Sequence, residues 1–455
     1  MTPRELAHRA LGFAPGAAQV TVAHERWMVS RFARSRPTQA TDVDDRVVEF
    51  LAWHDGHTGR AQTNGSRDDE LRDAALRAHA AAVAAAAASG RGDHPGLPAP
   101  AGAPPAHAGF DAETAELEPL LAGAALRRVF AVAAERDLEA FGIWTAGAVT
   151  TAIVSTAGID TVDAVTDAHL KVICRDARGR TGFASGTAVA AADVDARAVA
   201  DHAAAKVVAG EPAELEPGTY PVVLEAPAVG ALLAYLGGLA FGGLPYAEGR
   251  GALNDRLGTR VAAPSINLSD SPRFARTLPR AYDAEGLPKQ PLPLIQDGVA
   301  HRVVHDTHSA ARAGDGARST GSALPSDLDY DGPEPKNLVL IGGGAADEAE
   351  LAAPIERGIY VTRLWYLNAV RERETLLTGT TRDGTFLIED GRISRPLRDV
   401  RFTDSVLRLL DATEALTMRQ QLVAEAEFYG RRFATGVVCP SLRAGEFRVT
   451  GVTPA

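Results

Sequence analysis

Cysteine is almost missing from this chain: Cys174 and Cys439 are the only two in 455 residues. A pair so far apart is no disulfide framework and reads as two thiols in a reducing compartment. No run of about 20 apolar residues stands out as able to cross a bilayer. The opening Met1-Thr2-Pro3-Arg4-Glu5-Leu6-Ala7-His8-Arg9 lacks the basic-then-apolar order of a secretory signal. The expectation is a cytoplasmic protein with no membrane partner. Positive charge is also short, with 47 Lys and Arg against 58 Asp and Glu and a formal net charge of -11. That balance argues against nucleic acid as the main ligand, because phosphate-backbone binding needs a basic surface.

What is present is enough apolar residue, 45%, for ordinary cores, in a chain too long for one of them. Proline and glycine mark the divisions. The nearly pure alanine stretch 80–88 is a strong helix former, stopped by Ser89-Gly90. Residues 90–109 are rich in Gly, Pro and Ala, as in a linker or long surface loop. A second boundary falls at 211–218, where an Ala-rich helix over 193–209 gives way to the strand Tyr220-Pro221-Val222-Val223-Leu224. The expected layout is an α+β domain at 1–90, a Pro/Gly/Ala-rich linker at 91–113, a central α+β domain at 114–213 and a β-rich domain at 217–455.

A weak internal repeat links the first two domains. Gly59-Arg60 leads through a turn into a helix over 68–88, and Gly179-Arg180 leads through a similar turn into the helix over 193–209. Each unit reads as paired strands followed by a helix packed on one face of an antiparallel sheet, although Ala-rich helices after Gly-rich turns also arise in any Ala-biased chain. Beyond Pro217, Asp297-Gly298, Asp383-Gly384 and Asp390-Gly391 are hairpin-type dipeptides between apolar runs. With a helix over 402–415, they predict a twisted antiparallel or barrel-like domain.

Few motifs carry chemistry. His301, His305 and His308, with Asp306 between them, stand at i, i+4 and i+7 and would share one face of a helix. The preceding Asp297-Gly298 turn and the β-branched middle of the segment favour a strand running into a loop. Gly342-Gly343-Gly344 follows Leu338-Val339-Leu340-Ile341 but lacks the Gly-Lys-Ser/Thr ending of a phosphate loop, and acidic Asp347, Glu348 and Glu350 come next. It reads as a connection. No Gly-x-Ser-x-Gly elbow is present, and Cys439 reads as a small buried apolar residue.

Several short segments, in order, resemble the TldD/PmbA family of metalloproteases, also called modulators of DNA gyrase. They are Val47-Val48-Glu49-Phe50, Gly59-Arg60-Ala61-Gln62-Thr63-Asn64, Gly142-Ile143-Trp144-Thr145-Ala146-Gly147, Ser155-Thr156-Ala157-Gly158, Ile295-Gln296-Asp297-Gly298-Val299, Ser319-Thr320-Gly321-Ser322-Ala323, Gly358-Ile359-Tyr360-Val361, Leu377-Thr378-Gly379 and Ile388-Glu389-Asp390-Gly391. The family's active members are expected to carry His-Glu-Ala-Val-Gly-His, whose two imidazoles on one helical face bind zinc while the Glu acts as base. Aligned on Ala228-Val229-Gly230, this chain has Ala226 and Ala231 at the ligand positions and Pro227 at the base position. The family's further cysteine ligand has no counterpart at Cys439, which aligns with the strand beyond it.

The resemblance therefore implies a TldE/PmbA-like subunit without its own zinc. Its expected partner is a zinc-bearing TldD-like subunit, and the pair would form a cytosolic peptidase acting on unfolded peptides. Arg363, Trp365, Tyr366 and Asn368 lie where the family has its peptide cleft, and Trp365, Tyr366 and Leu367 replace a more usual Gly-x-Gly-x-Asn stretch. They are the candidate substrate- or partner-binding residues, with core aromatics as the competing reading. Two other functions stay open: a metal-dependent hydrolase with a relocated site at His301, His305, His308 and Asp306, and a non-enzymatic homodimer that binds peptides or regulates.

Overall fold

The structure is a computed structural model that describes residues 1–314, 316–424 and 430–452. The fold class is α+β, in agreement with the sequence. The first sheet holds β1 (Ala18–Ala33), β2 (Arg36–His54), β3 (His57–Thr63), β4 (Glu139–Ser155), β5 (Asp160–Arg175) and β6 (Thr181–Ala188), all antiparallel in the order β3-β2-β1-β4-β5-β6. The repeat is real and larger than its sequence signal. Each half of this sheet is a three-strand meander ending in a helix, Asp68–Ser89 after β3 and Ala196–Ala205 after β6, and the two halves meet along β1 and β4. Each half also opens with a helix, Pro3–Leu11 or Pro119–Glu135. Alanine lets these helices sit close: Ala74, Ala78 and Ala82 face the first half of the sheet, and Ala200, Ala203 and Ala204 face the second. The second helix is shorter than the 193–209 expected, because the Asp195 side chain caps it by accepting from the Arg197 and Ala198 amides.

The second sheet is built from β7 (Gly218–Leu224), β8 (Leu268–Asp270), β9 (Leu292–Gln296), β10 (Val299–Ala300), β11 (Leu338–Leu340), β12 (Arg357–Arg371), β13 (Leu376–Glu389), β14 (Arg392–Pro396), β15 (Val400–Ser405), β16 (Thr413–Val423) and β17 (Val437–Val452). Because β17 pairs with both β15 and β7, the path β17-β15-β13-β12-β7 closes on itself. This is the barrel-like element the turn pattern indicates. The sheet is mixed: β7 runs parallel to β12, and β11 parallel to β17. The helix Ala226–Phe241 packs on β12, β16 and β17 with most of its circumference buried.

Three local expectations are corrected. Asp297-Gly298 and Asp390-Gly391 make hairpin turns with both residues at positive φ, but Asp383-Gly384 is a bulge inside β13, where the Asp383 carboxylate turns inward to Arg363. The helix expected over 402–415 begins only at Val406, after Ser405 caps it, because 400–405 alternates buried and exposed as a strand does. The absence of a long apolar run does not hold either. The span Ala226–Ala247 is 22 residues long and apolar enough to cross a bilayer by length and composition, yet it is 67% buried inside the protein.

Candidate functional site

β7 ends at Leu224, and the next residue, Glu225, caps the helix Ala226–Phe241. Pro227 fits the first turn, where its missing N–H leaves no bond unmade. Glu225 is buried, and its carboxylate takes Lys206 Nζ at 2.8 and 2.7 Å, His202 Nε2 at 2.6 Å and the Tyr360 hydroxyl at 2.9 Å. Lys206 also donates to the Phe183 carbonyl at 2.9 Å. Burial would push the Glu225 carboxyl up, but Lys206 and His202 outweigh it and hold the group down to about 2. A carboxylate at a helix start is also favoured by the helix dipole. Burial first, and then Glu225, pushes the Tyr360 hydroxyl well above its ordinary value. Sequence reasoning missed this cluster because its members are spread over 202–360; the one signal was an acidic residue directly before an apolar helix.

The metal-motif positions do not share a helical face. A five-residue step turns an α-helix to about 140° from its start, so Ala226 and Ala231 diverge. Ala226 is buried, its amide donating to Ser441 Oγ at 3.1 Å and its carbonyl accepting the Cys439 thiol at 3.3 Å. Ala231 and Pro227 instead line a cleft of about 600 Å³ between the helix, β6 and β12. Methyl and pyrrolidine groups offer a cation no donor. Cys439 is fully buried, and burial pushes its thiol up, away from the thiolate that metals bind. A zinc ion does not fit these residues.

Arg363, Trp365 and Tyr366 line the opposite wall of the same cleft. Arg363 Nε donates to Asp383 Oδ2 at 2.9 Å, and a second N–H reaches the same oxygen. Its guanidinium lies 4.5 Å from the Phe183 ring centre and 5.1 Å from that of Trp365, with Arg382 5.2 Å from the same indole. Trp365 is therefore held by two cations with part of its surface open, rather than buried as a core aromatic. Opposite Gly379, Tyr366 and Leu367 bulge out of β12; Tyr366 takes φ 54° and is 76% exposed. Two bonds latch the bulge, from Asn368 Nδ2 to the Tyr366 carbonyl at 3.0 Å and from the Tyr235 hydroxyl to the Leu367 carbonyl at 2.7 Å. Asn368 thus shapes the rim.

The three histidines separate. The segment expected as a strand is irregular from 301 to 306 and then forms the helix Thr307–Ala313, capped by Asp306. His301 is exposed, His305 is buried with Nδ1 3.2 Å from Ser309 Oγ, and His308 lies 3.1 Å from Asp93 and stacks on His94. Among the described residues no group of three or more His, Cys, Asp or Glu is placed to hold a metal ion. Nearby, burial and the neighbouring Asp283 and Asp306 raise Glu285 well above the usual carboxylate range, but its oxygens are occupied by the Thr307 amide and hydroxyl.

Residues 217–451 match the family model of the PmbA/TldA metallopeptidase C-terminal domain. A TldD homologue described as a metalloprotease, from Haemophilus influenzae, is 24% identical over 243 residues, 51% of this chain and 48% of that protein. A metalloprotease of Synechocystis is 28% identical over 205 residues, 44% of this chain and 42% of that protein. The chain spans about half the length of the curated relatives it matches. Two crystal structures share the fold almost end to end. TldE from Thermococcus kodakarensis has a TM-score of 0.84 at 18% identity, covering 98% of this chain and 99% of that one. A candidate modulator of a DNA gyrase from Thermotoga maritima has a TM-score of 0.83 at 18% identity, covering 99% and 100%.

Proposed function

The chain belongs to the PmbA/TldD metallopeptidase family, and from that membership we propose that it is a TldE-like subunit without its own zinc, paired with a TldD-type protease in the cytoplasm. One observation carries the reading: a peptide-sized cleft is present, but Pro227 and Ala231 line the wall where the family motif would present its base and a ligand. Zinc belongs to the partner in this proposal. This chain supplies the wall on which an unfolded peptide lies extended. Arg363, fixed by Asp383, holds the Trp365 face toward the peptide, and the latched bulge at Tyr366 carries an aromatic to the rim. Such a wall recognises backbone and apolar surface with little sequence demand.

The test is peptidase activity on an unfolded peptide, with zinc content, for this chain alone and with a TldD-like partner from the same organism. Activity and bound zinc are expected only with the partner. Chelator-sensitive hydrolysis by this chain alone would overturn the reading.

The aromatic wall has its own check. Trp365→Ala and Tyr366→Ala are expected to leave the unfolding free energy within about 1 kcal/mol, since both rings are exposed in part. Peptide binding by the assembled complex should weaken about tenfold for Trp365→Ala, as for an aromatic anchor, and less for Tyr366→Ala. Unchanged affinity with both rings removed would place the peptide elsewhere.

A further inference from the structure

A second cavity, of about 60 Å³, lies where the first sheet meets the loops of the second domain, with walls from Val149, Ile153, Leu324 and Phe433. Arg280 and Asn337 also line it, and each carries a buried atom without a partner: Arg280 Nε, a donor, and Asn337 Oδ1, an acceptor. Arg280 is 9% exposed and Asn337 2%. The rest of both side chains is committed. Arg280 Nη2 donates to the Ala434 carbonyl at 3.2 Å and its guanidinium stacks 4.0 Å from the Phe433 ring centre, while Asn337 Nδ2 donates to the Leu278 carbonyl at 2.8 Å.

The carboxylates nearby do not neutralise Arg280. Asp163 is taken by His107 Nε2 at 2.8 Å and the Ala281 amide at 2.9 Å, and Asp283 by the amides of Glu285, Leu287 and Ala323. Among the described residues Arg280 forms no ion pair, and a buried guanidinium without a counter-charge is costly. The other cations are engaged: Lys289 with the Gly321 carbonyl, Lys336 with Glu334, and Arg431 with Glu49 and Asp327. The missing group is an anion that also brings a donor for Asn337. The volume, about that of two liquid waters, admits little more than a carboxylate with a two- or three-carbon stem.

We propose that the cavity at Arg280 and Asn337 is a binding site for a small carboxylate bearing an O–H or N–H on the adjacent carbon. A free 2-hydroxy acid and the C-terminal residue of a peptide share that chemistry. The site stands apart from the cleft at Pro227 and Trp365, sharing with it only Lys336 among the described lining residues, and does not rest on the function proposed there.

Calorimetric titration of the full chain at constant ionic strength tests it, using lactate, propionate, lactamide, N-acetylglycine and N-acetylglycine amide. Lactate is expected to bind, propionate to bind some two- to tenfold more weakly for want of one hydrogen bond, and lactamide not at all. N-acetylglycine binding more tightly than lactate identifies a peptide terminus as the source, and the reverse order a free acid; its amide should be inert in both cases. Arg280→Met should abolish binding while keeping the melting temperature, because it removes an unpaired charge. If that variant does not fold, Arg280→Lys, which keeps charge but loses Nε, should weaken lactate, and Asn337→Leu should erase the preference for lactate over propionate. No binding of lactate or N-acetylglycine up to about 10 mM, or equal binding by Arg280→Met, overturns the proposal.

Discussion

Lys206→Met is expected to lower the unfolding free energy by ~3–5 kcal/mol, the usual loss when one partner of a buried ion pair is removed. Lys206 and Glu225 are 8% and 4% exposed at the side chain. Three acceptors converge on Lys206 Nζ, the Phe183 carbonyl and both Glu225 oxygens, and only a protonated ammonium has three hydrogens to give. Without it, Glu225 keeps His202 and Tyr360 but loses its buried counter-charge. The damage would be placed at a joint. Lys206 follows the last helix of the first half, Glu225 starts the helix that forms one wall of the cleft, and Tyr360 comes from β12 on the other side. Changing both, as Lys206→Met with Glu225→Leu, should recover much of the loss, since an apolar replacement of a buried pair is often near neutral. Urea unfolding of the wild type, the single and the double variant measures this. A single-variant loss below about 1 kcal/mol would mean that water reaches the pair.

Acid should reveal the same group. Glu225 is held near 2 in the folded protein, below its unfolded value of about 4.3. A carboxyl depressed by folding contributes stability that is complete above its unfolded pKa and is lost as pH falls toward its folded one. The Glu225 share should therefore vanish between about pH 4.5 and pH 2. In Lys206→Met, where the main force lowering that pKa is gone, the acid-side slope of stability against pH should flatten over the same window. An identical slope in both proteins would assign the acid loss to other carboxylates.

The sequence disclosed the parts of this protein whose signal is local. Alanine runs located the helices on the first sheet, and Asp297-Gly298 and Asp390-Gly391 located turns, because positive φ at successive residues has few chemical solutions. Asp383-Gly384 misled for the same reason: a bulge asks for the same backbone. The cleft was legible in pieces. Pro227 and Ala231 were found by what they lack and Trp365 by its bulk, but only the folding of β12 beside the helix Ala226–Phe241 makes them face one another. The buried groups were not legible at all. Glu225, Lys206, Arg280 and Arg432 resemble surface charge in a linear reading, and nothing short of the tertiary packing shows that each is enclosed.

Asp167→Ala is expected to cost about as much as the loss of Lys206, ~3–5 kcal/mol, and to act on the cleft from its other end. Arg432 has a side chain with no exposed surface. It donates through Nε at 2.8 Å and Nη2 at 2.6 Å to the two Asp167 oxygens, and through Nη1 to Thr145 Oγ1 at 3.0 Å, while its backbone amide reaches Glu25 at 2.9 Å. This carries the stretch 430–436, which precedes β17, onto β1, β4 and β5 of the first sheet. The strand opposite is cut to fit: a Cβ at Gly147 would lie 2.3 Å from Arg432 Nε, and because that atom is pinned rather than free, Gly147→Ala should destabilise by about 1–3 kcal/mol. Thr435, Gly436 and Val437 line the cleft immediately after this anchor. Freed from Asp167, Arg432 would be a buried cation with only neutral hydroxyl and carbonyl acceptors, and the stretch would exchange that site for water. Amide hydrogen exchange over 430–437 should then rise by orders of magnitude while the helix Asp68–Ser89, on the far half of the sheet, stays protected. Asp167→Asn, which keeps one acceptor and the shape but not the charge, should fall between. Uniform loss of protection across both sheets would show instead that the anchor supports the whole fold, and unchanged exchange over 430–437 would show that the Glu25 and Thr145 bonds hold the segment without Asp167.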